Sequence, residues 1–141
     1  MSDRAGKFTI ETKKRILYSD FLMNFDINPF TGILARSTNE ESVKNALKQL
    51  ILTDCGERFY DSNKGSRIKQ TLFELFDIGL YDAMKMQIKS TCAQYEPRAL
   101  IQDVQIDRGP DNNEFTVSIT FGIVNIPDQY YSISVAVNRV R

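Results

Sequence analysis

The sequence predicts an α+β fold, with N-terminal helices packed on one face of a C-terminal three-stranded antiparallel meander. Three observations carry this. Apolar residues recur at helical spacing up to residue 95 and at period two from residue 99 onward. The period-two runs are joined by "RGPDNN" and "NIPDQY", short turn-forming stretches that favour antiparallel neighbours over crossovers. Within each run one face is apolar and the other rich in Ser and Thr, so helices cover one side of the sheet only.

Residues 1–15 are polar, with Arg4, Lys7, Lys13, Lys14 and Arg15 against Asp3 and Glu11, and read as a solvated arm. Five cations without clustered aromatics do not make a nucleic-acid site. Residues 16–36 are rich in apolar side chains but show no period, and turns are marked at Asn28-Pro29 and Thr31-Gly32. This stretch drapes either over the core or over a partner, and both options stay open. The chain therefore divides into an arm and irregular segment, residues 1–36, and one α+β domain, residues 37–141.

The first helix is expected over 39–53. Thr38 is its N-cap, Glu41 completes a capping box, and Val43, Ala46, Leu47, Leu50 and Ile51 form one apolar stripe. Gly56 ends it. Asp61 to Gly65 is turn-rich. Ser66 then caps a short helix over 67–76, with Ile68, Leu72, Phe73 and Phe76 on one side, and "DIG" at 77–79 breaks it. The longest helix runs over 80–95, where Leu80, Met84, Ile88 and Cys92, flanked by Tyr81 and Tyr95, form a core stripe. In the first strand Leu100, Val104 and Ile106 face inward. In the second the inward residues are Phe115, Val117, Ile119, Phe121 and Ile123. In the third they are Tyr131, Ile133, Val135 and Val137.

Composition narrows the chemistry. Of 141 residues, 42% are hydrophobic and 26% charged, ordinary for a globular chain long enough to bury a core. Lys plus Arg and Asp plus Glu number 18 each, so no charge imbalance draws nucleic acid or an anionic membrane. No apolar run approaches the roughly 20 residues of a membrane span, and the N-terminus shows no signal-peptide stretch, which points to synthesis in a cytoplasm. Histidine is absent and the two cysteines, Cys55 and Cys92, lack metal-ligand spacing. The seven glycines are scattered, with no phosphate-binding loop. Without histidine no Ser-His or Cys-His nucleophile can form. What remains is a carboxylate pair drawn from Glu57, Asp61, Glu74, Asp77 and Glu96. The acid of such a pair needs an apolar pocket, whereas Glu96 has Arg98 beside it, so the sequence points away from catalysis.

Two features ask for more than a core. Glu96-Pro97-Arg98 stands where helix gives way to strand. Pro97 stops the helix, but a stop needs neither the acid nor the base. A charged fork on a rigid corner suits docking on another protein, or an internal salt bridge to a neighbouring helix. The last strand, Tyr131, Ser132, Ile133, Ser134, Val135, Ala136 and Val137, bears no charge until Arg139. As an edge it is either covered by the chain's own N-terminal segment or open to strand addition by a partner.

"YEPR" at the end of the long helix, preceded by "ERFYDSNKGS" and "LFELF", resembles the baseplate wedge proteins of contractile-tailed bacteriophages, also called sheath initiators, which have homologues in other contractile injection systems. The resemblance covers roughly residues 39–139. Its most specific mark is Glu96, Pro97 and Arg98. A second is the turn carrying Arg58, Tyr60 and Gly65 ahead of Leu72, Phe73 and Glu74, and a third is Tyr18-Ser19-Asp20. Ser62 stands where the family often has Pro, and Lys64 where an aromatic precedes the glycine. The resemblance implies a structural, non-enzymatic part of the virion tail baseplate. Its partners would be other baseplate wedge proteins, the tail sheath subunit and the tail tube. Glu96, Pro97 and Arg98 would be the docking corner, and Tyr131 to Val137 the edge to which the first sheath ring adds. Neither the residues nor the resemblance calls for a cofactor, a metal, a small-molecule substrate, nucleic acid or a membrane. Some relatives carry a lysozyme label, which makes a small tail-associated peptidoglycan hydrolase with a carboxylate pair the alternative.

Overall fold

The computed structural model describes residues 15–71, 78–109 and 114–138. Strands β1 (Ser19–Phe21) and β2 (Arg36–Thr38) precede helices α1 (Glu40–Leu52), α2 (Ile68–Thr71) and α3 (Ile78–Tyr95). Strands β3 (Ala99–Arg108), β4 (Glu114–Ile123) and β5 (Ile126–Asn138) follow. The α+β architecture stands as expected, with β3-β4-β5 an antiparallel sheet in sequence order and β1-β2 a separate antiparallel pair.

β4 is central because its alternation is the cleanest. Phe115, Val117, Ile119, Phe121 and Ile123 are all buried on one face, and both neighbours pair along it. Onto that face α3 packs against β3 and α1 against β5. The core joins Val43, Leu47, Leu50 and Ile51 of α1 to Met84, Ile88 and Cys92 of α3, the stripes read from the sequence. Full burial of such side chains stabilises by about 1.5–3 kcal/mol each.

Five local expectations are corrected. Thr38 belongs to β2, and the N-cap of α1 is Asn39, at φ 46°. Its side chain makes no cap hydrogen bond; it is taken instead by a strap at residues 15–18. Ser66 does not cap α2. Its buried hydroxyl donates to the Ile51 carbonyl at 2.6 Å, fastening the loop to the end of α1. Gly79 does not break a helix but sits in the first turn of α3; Leu72, Phe73, Glu74, Phe76 and Asp77 lie outside the described residues. Leu100 faces outward, because a bulge between Ile101 and Asp103 inserts one residue and flips the parity. Ala99 and Ile101 face the core before it, Val104 and Ile106 after it. Finally, "NIPDQY" is largely strand. The β4–β5 turn is Val124-Asn125, with Asn125 at φ 70°, and a register shift opposite Gly122 and Ile123 absorbs Asp128 at φ 66°.

Candidate interaction surfaces

α3 ends at Tyr95 because the ring of Pro97 disfavours helical geometry at Glu96. The Ala99 amide donates back to the Glu96 carbonyl at 3.1 Å, and the Val124 amide donates to the Arg98 carbonyl at 3.0 Å, so the corner opens directly into the sheet. Glu96 is turned inward, 8% exposed. Arg98 holds both its carboxylate oxygens, Nε on Oε1 at 2.5 Å and Nη2 on Oε2 at 3.0 Å, a bidentate fork. Nη1 reaches Asp20 Oδ2 at 3.0 Å and Ser42 Oγ at 3.5 Å, and the Ser42 hydroxyl donates to the same Asp20 oxygen. The guanidinium lies over the Tyr18 ring, 5.5 Å from its centroid. Two motifs read separately, Glu-Pro-Arg and Tyr18-Ser19-Asp20, are thus one cluster. The geometry differs from an outward fork: the charges face into the chain and grip its N-terminal segment. Ser42 and Asn39 completed this site without any signal in the sequence.

The charges shift one another. Its hydrogen bonds to Glu96 raise the Arg98 pKa above its already high ordinary value; burial opposes them in part, and the hydrogen bond to Asp20 adds to the rise. Asp20 is held below the usual carboxylate value, chiefly by the Ser42 hydroxyl and then by Arg98, against partial desolvation. Burial, reinforced by the charge of Glu96, pushes the Cys92 thiol up to about 12.

Residues 15–20 cross the foot of the sheet as a strap. Asn39 Oδ1 accepts from the Leu17 and Tyr18 amides at 2.8 and 3.3 Å, and Nδ2 donates to the Arg15 carbonyl at 3.0 Å. Tyr18 Oη donates to the Val124 carbonyl at 3.3 Å. From this strap β1 and β2 rise into a hairpin. Residues 21–35 carry one charge, Asp26, and Phe21, Met23, Phe25, Ile27, Phe30 and Ile33 are exposed, Phe30 at 96%.

The sheet has two edges, β3 and β5, and no described strand pairs with the outer side of either. The direction of the β5 edge follows from β4. The Gly109 amide donates to the Glu114 carbonyl at 2.8 Å, so Glu114 turns its backbone toward β3. Backbone groups alternate sides along an unbroken strand, so Phe115, Val117, Ile119 and Phe121 turn theirs toward β5. Their partners Val137, Val135, Ile133 and Tyr131 therefore bond inward. Ser132, Ser134 and Ala136 aim N–H and C=O groups out of the sheet. At one end of this edge Lys44 of α1 lies over the Tyr131 ring, 5.4 Å from its centroid.

The sequence profile of the family described as baseplate wedge protein gp25 matches residues 37–127. The chain is 31% identical over 131 residues to baseplate wedge protein gp25 of Enterobacteria phage T4, spanning 88% of this chain and 96% of that protein. The chain belongs to the baseplate wedge protein gp25 family. Several solved structures share its fold. A Geobacter sulfurreducens protein described as a tail lysozyme superposes with a TM-score of 0.68 at 16% identity, covering 77% of this chain and 97% of that one. A chain of the anti-feeding prophage baseplate gives 0.59 at 19% identity, with 88% and 87% covered. One of the type VI secretion system baseplate complex gives 0.58 at 16%, with 72% and 93% covered.

Of the carboxylates of the hydrolase alternative, Glu57, Asp61 and Glu96 are among the described residues, and none of them sits in an apolar pocket of the kind a catalytic acid needs. Glu96 is locked by Arg98. Glu57 and Asp61 line an open concavity of about 440 Å³ with Arg58, Phe59, Tyr60 and Lys64. There Glu57 is a structural brace: Oε2 accepts the Asp54 amide at 3.0 Å and Oε1 lies 3.7 Å from Lys69 Nζ. The loop itself is rigidly seated. Gly65, at φ 145°, passes so close to Thr53 that a Cβ would sit 2.6 Å from its carbonyl oxygen, and Tyr95 Oη donates to the Asn63 carbonyl at 3.0 Å. Among the described residues no group of His, Cys, Asp and Glu could hold a metal ion, and no helix is long and apolar enough to cross a membrane.

Proposed function

We propose that this chain is a non-catalytic structural component of a phage tail baseplate wedge, made in the host cytoplasm and built into the virion. The corner of Glu96, Pro97 and Arg98, with the hairpin it grips, serves attachment to other wedge proteins beside the tail tube. The outer edge of β5, Tyr131 to Val137, takes a strand from the tail sheath subunit and starts the sheath. The observation that carries this reading is an edge left unpaired among the described residues: Ser132, Ser134 and Ala136 present backbone groups to which a strand can add. A monomer meant to stay alone blunts such an edge with charge or a covering segment, and this one bears no charge from Tyr131 to Asn138. Family membership supports the baseplate location.

Two proline substitutions test the edge. Proline removes an N–H, tolerable only where the N–H faces outward. Ser134→Pro should melt near the wild-type temperature and fail to polymerise sheath on assembled baseplates. Ile133→Pro removes an inward bond and leaves a β4 carbonyl unpaired, which destabilises the domain by about 1–3 kcal/mol or more. Sheath growth on baseplates carrying soluble Ser134→Pro, equal to wild type, would rule out strand addition at β5.

A further inference from the structure

The attachment reading leaves open how an inward-turned charge pair could serve assembly. Arg98 has little left to give a partner: four hydrogen bonds from its guanidinium, which has five N–H groups, end inside the chain, and Tyr18 covers one face of it. Its contacts fall instead on the root of the hairpin. Asp20 sits in β1 opposite Ser37 of β2, the Ser37 hydroxyl donates to the Asp20 carbonyl at 3.3 Å, and the Asp20 carboxylate is held by both Ser42 of α1 and Arg98. Residues 22–35, by contrast, bond to one another, with the Asn28 amide donating to the Ile33 carbonyl at 2.8 Å and the Ala35 amide to the Asp26 carbonyl at 2.8 Å. The hairpin is internally braced, and its direction is set at its root.

We infer that the Glu96–Arg98 pair is an internal latch, and that Arg98 is a positioning residue that aims the β1–β2 hairpin so that its apolar tip docks on an uncharged apolar surface of another wedge protein. The proposal rests on the attachment reading above and says how attachment is made. The chemistry of the hairpin selects the occupant. Six large apolar side chains exposed over residues 21–33 are more than an isolated soluble chain tolerates. A hairpin meant for a lipid surface would bring Lys or Arg to the headgroups beside its apolar tip; residues 21–35 have neither, with Asp26 their one charge, and Arg36 stands at the root, over the Phe21 ring at 5.6 Å from its centroid. What fits is a protein surface that is apolar and lacks its own unpaired charges.

The test uses spin labels in a Cys55→Ser background, one at the tip (Thr31→Cys) and one on the exposed face of α3 (Lys89→Cys). The second measurement is affinity for the purified wedge proteins encoded beside this one, on unlabelled protein. Arg98→Ala strands the buried Glu96 carboxylate and can cost the fold itself. Asp20→Asn therefore runs alongside it, since it cuts the latch at the hairpin and leaves the Glu96–Arg98 pair intact. Expected are a narrow tip-to-body distance distribution in the parent protein, a clearly broader one in Asp20→Asn and in soluble Arg98→Ala, and an affinity loss of about tenfold or more in each. The double variant should bind no worse than Arg98→Ala alone, because both changes break one device. If the distances stay narrow in both variants, or the two affinity losses multiply, Arg98 meets the partner itself and the latch is overturned. Phe30→Asp separates the latch from the reading it rests on. Wild-type affinity in that variant removes the hairpin from docking altogether. Lost affinity there, with unchanged distances in Asp20→Asn, keeps the docking surface and overturns only the latch. Self-association of the parent that Phe30→Asp abolishes would assign the hairpin to a second copy and overturn the choice of partner.

Discussion

Asp20, Arg98 and Cys92 show how far a few side chains here depend on their surroundings. Asp20 is held below its ordinary value of 3.8 by the Ser42 hydroxyl and by Arg98. A carboxylate with a depressed folded-state pKa contributes stability that is present above its unfolded pKa and is lost as pH falls through the folded one. The melting temperature of wild type should therefore exceed that of Asp20→Asn at neutral pH, and the difference should shrink once pH falls below about 3.8. Cys92 acts at the other end. Its thiol is raised from 9.0 to about 12, so its contribution is present below pH 9 and is lost between there and about 12. Melting curves of wild type, Asp20→Asn and Cys92→Ala across this range check both limbs. A wild-type advantage over Asp20→Asn that persists unchanged however far pH falls below 3.8 would contradict the acid limb. An alkaline decline equal in wild type and Cys92→Ala would contradict the basic one.

At the scale of elements, the long regular ones follow their sequence periods, and the exceptions have local causes. β4 alternates without a break, and so does the inward set of β5 from Tyr131 to Val137. β3 does not, because one inserted residue exchanges its faces partway along. A sequence window reads parity from neighbours and cannot see which strand holds the extra residue until the register with β4 is known. The bulge has a direct consequence. Leu100 is 53% exposed and Val104 1% exposed, although alternation places both on one face. Leu100→Ser should change unfolding free energy by no more than about 0.5 kcal/mol. Val104→Ser, which sets a hydroxyl in the core, should cost about 2 kcal/mol or more. Urea denaturation of the two variants measures this, and equal losses would mean that the faces are not exchanged. The cap of α1 failed for a similar reason. Thr38 and Glu41 satisfy the local pattern of a capping box, but a strap 22 positions upstream in sequence claims the Asn39 side chain, and a long-range contact outweighs a local preference.

At the scale of the whole molecule, the same arrangement that exposes the apolar hairpin and the β5 edge leaves no paired catalytic carboxylates in a closed cleft among the described residues. Purified protein should not clear peptidoglycan suspensions at any pH at which it is folded, and Glu57→Gln and Glu96→Gln should leave that blank result unchanged. Clearing that either substitution abolishes would establish hydrolysis in place of the structural reading. What the sequence determined by itself is the α+β class, the stripes of α1 and α3, the helix stop at Pro97, and the apolar faces of β4 and β5, all of them properties of local period and backbone stereochemistry. The triplet and the Tyr18-Ser19-Asp20 segment were likewise visible as motifs, through resemblance. Only the tertiary structure decided that they meet. Asp20 and Arg98 are 78 positions apart, and no periodicity links residues that are neighbours solely because a strap returns across the foot of the sheet. The direction of the fork was likewise undecided, since Glu96 can face solvent or core with the same backbone stop. It faces inward because Arg98 of the same corner holds both its oxygens, while a carboxylate from β1, a hydroxyl from α1 and an aromatic ring from the strap surround that guanidinium, so the charges that burial would otherwise penalise are satisfied in one place.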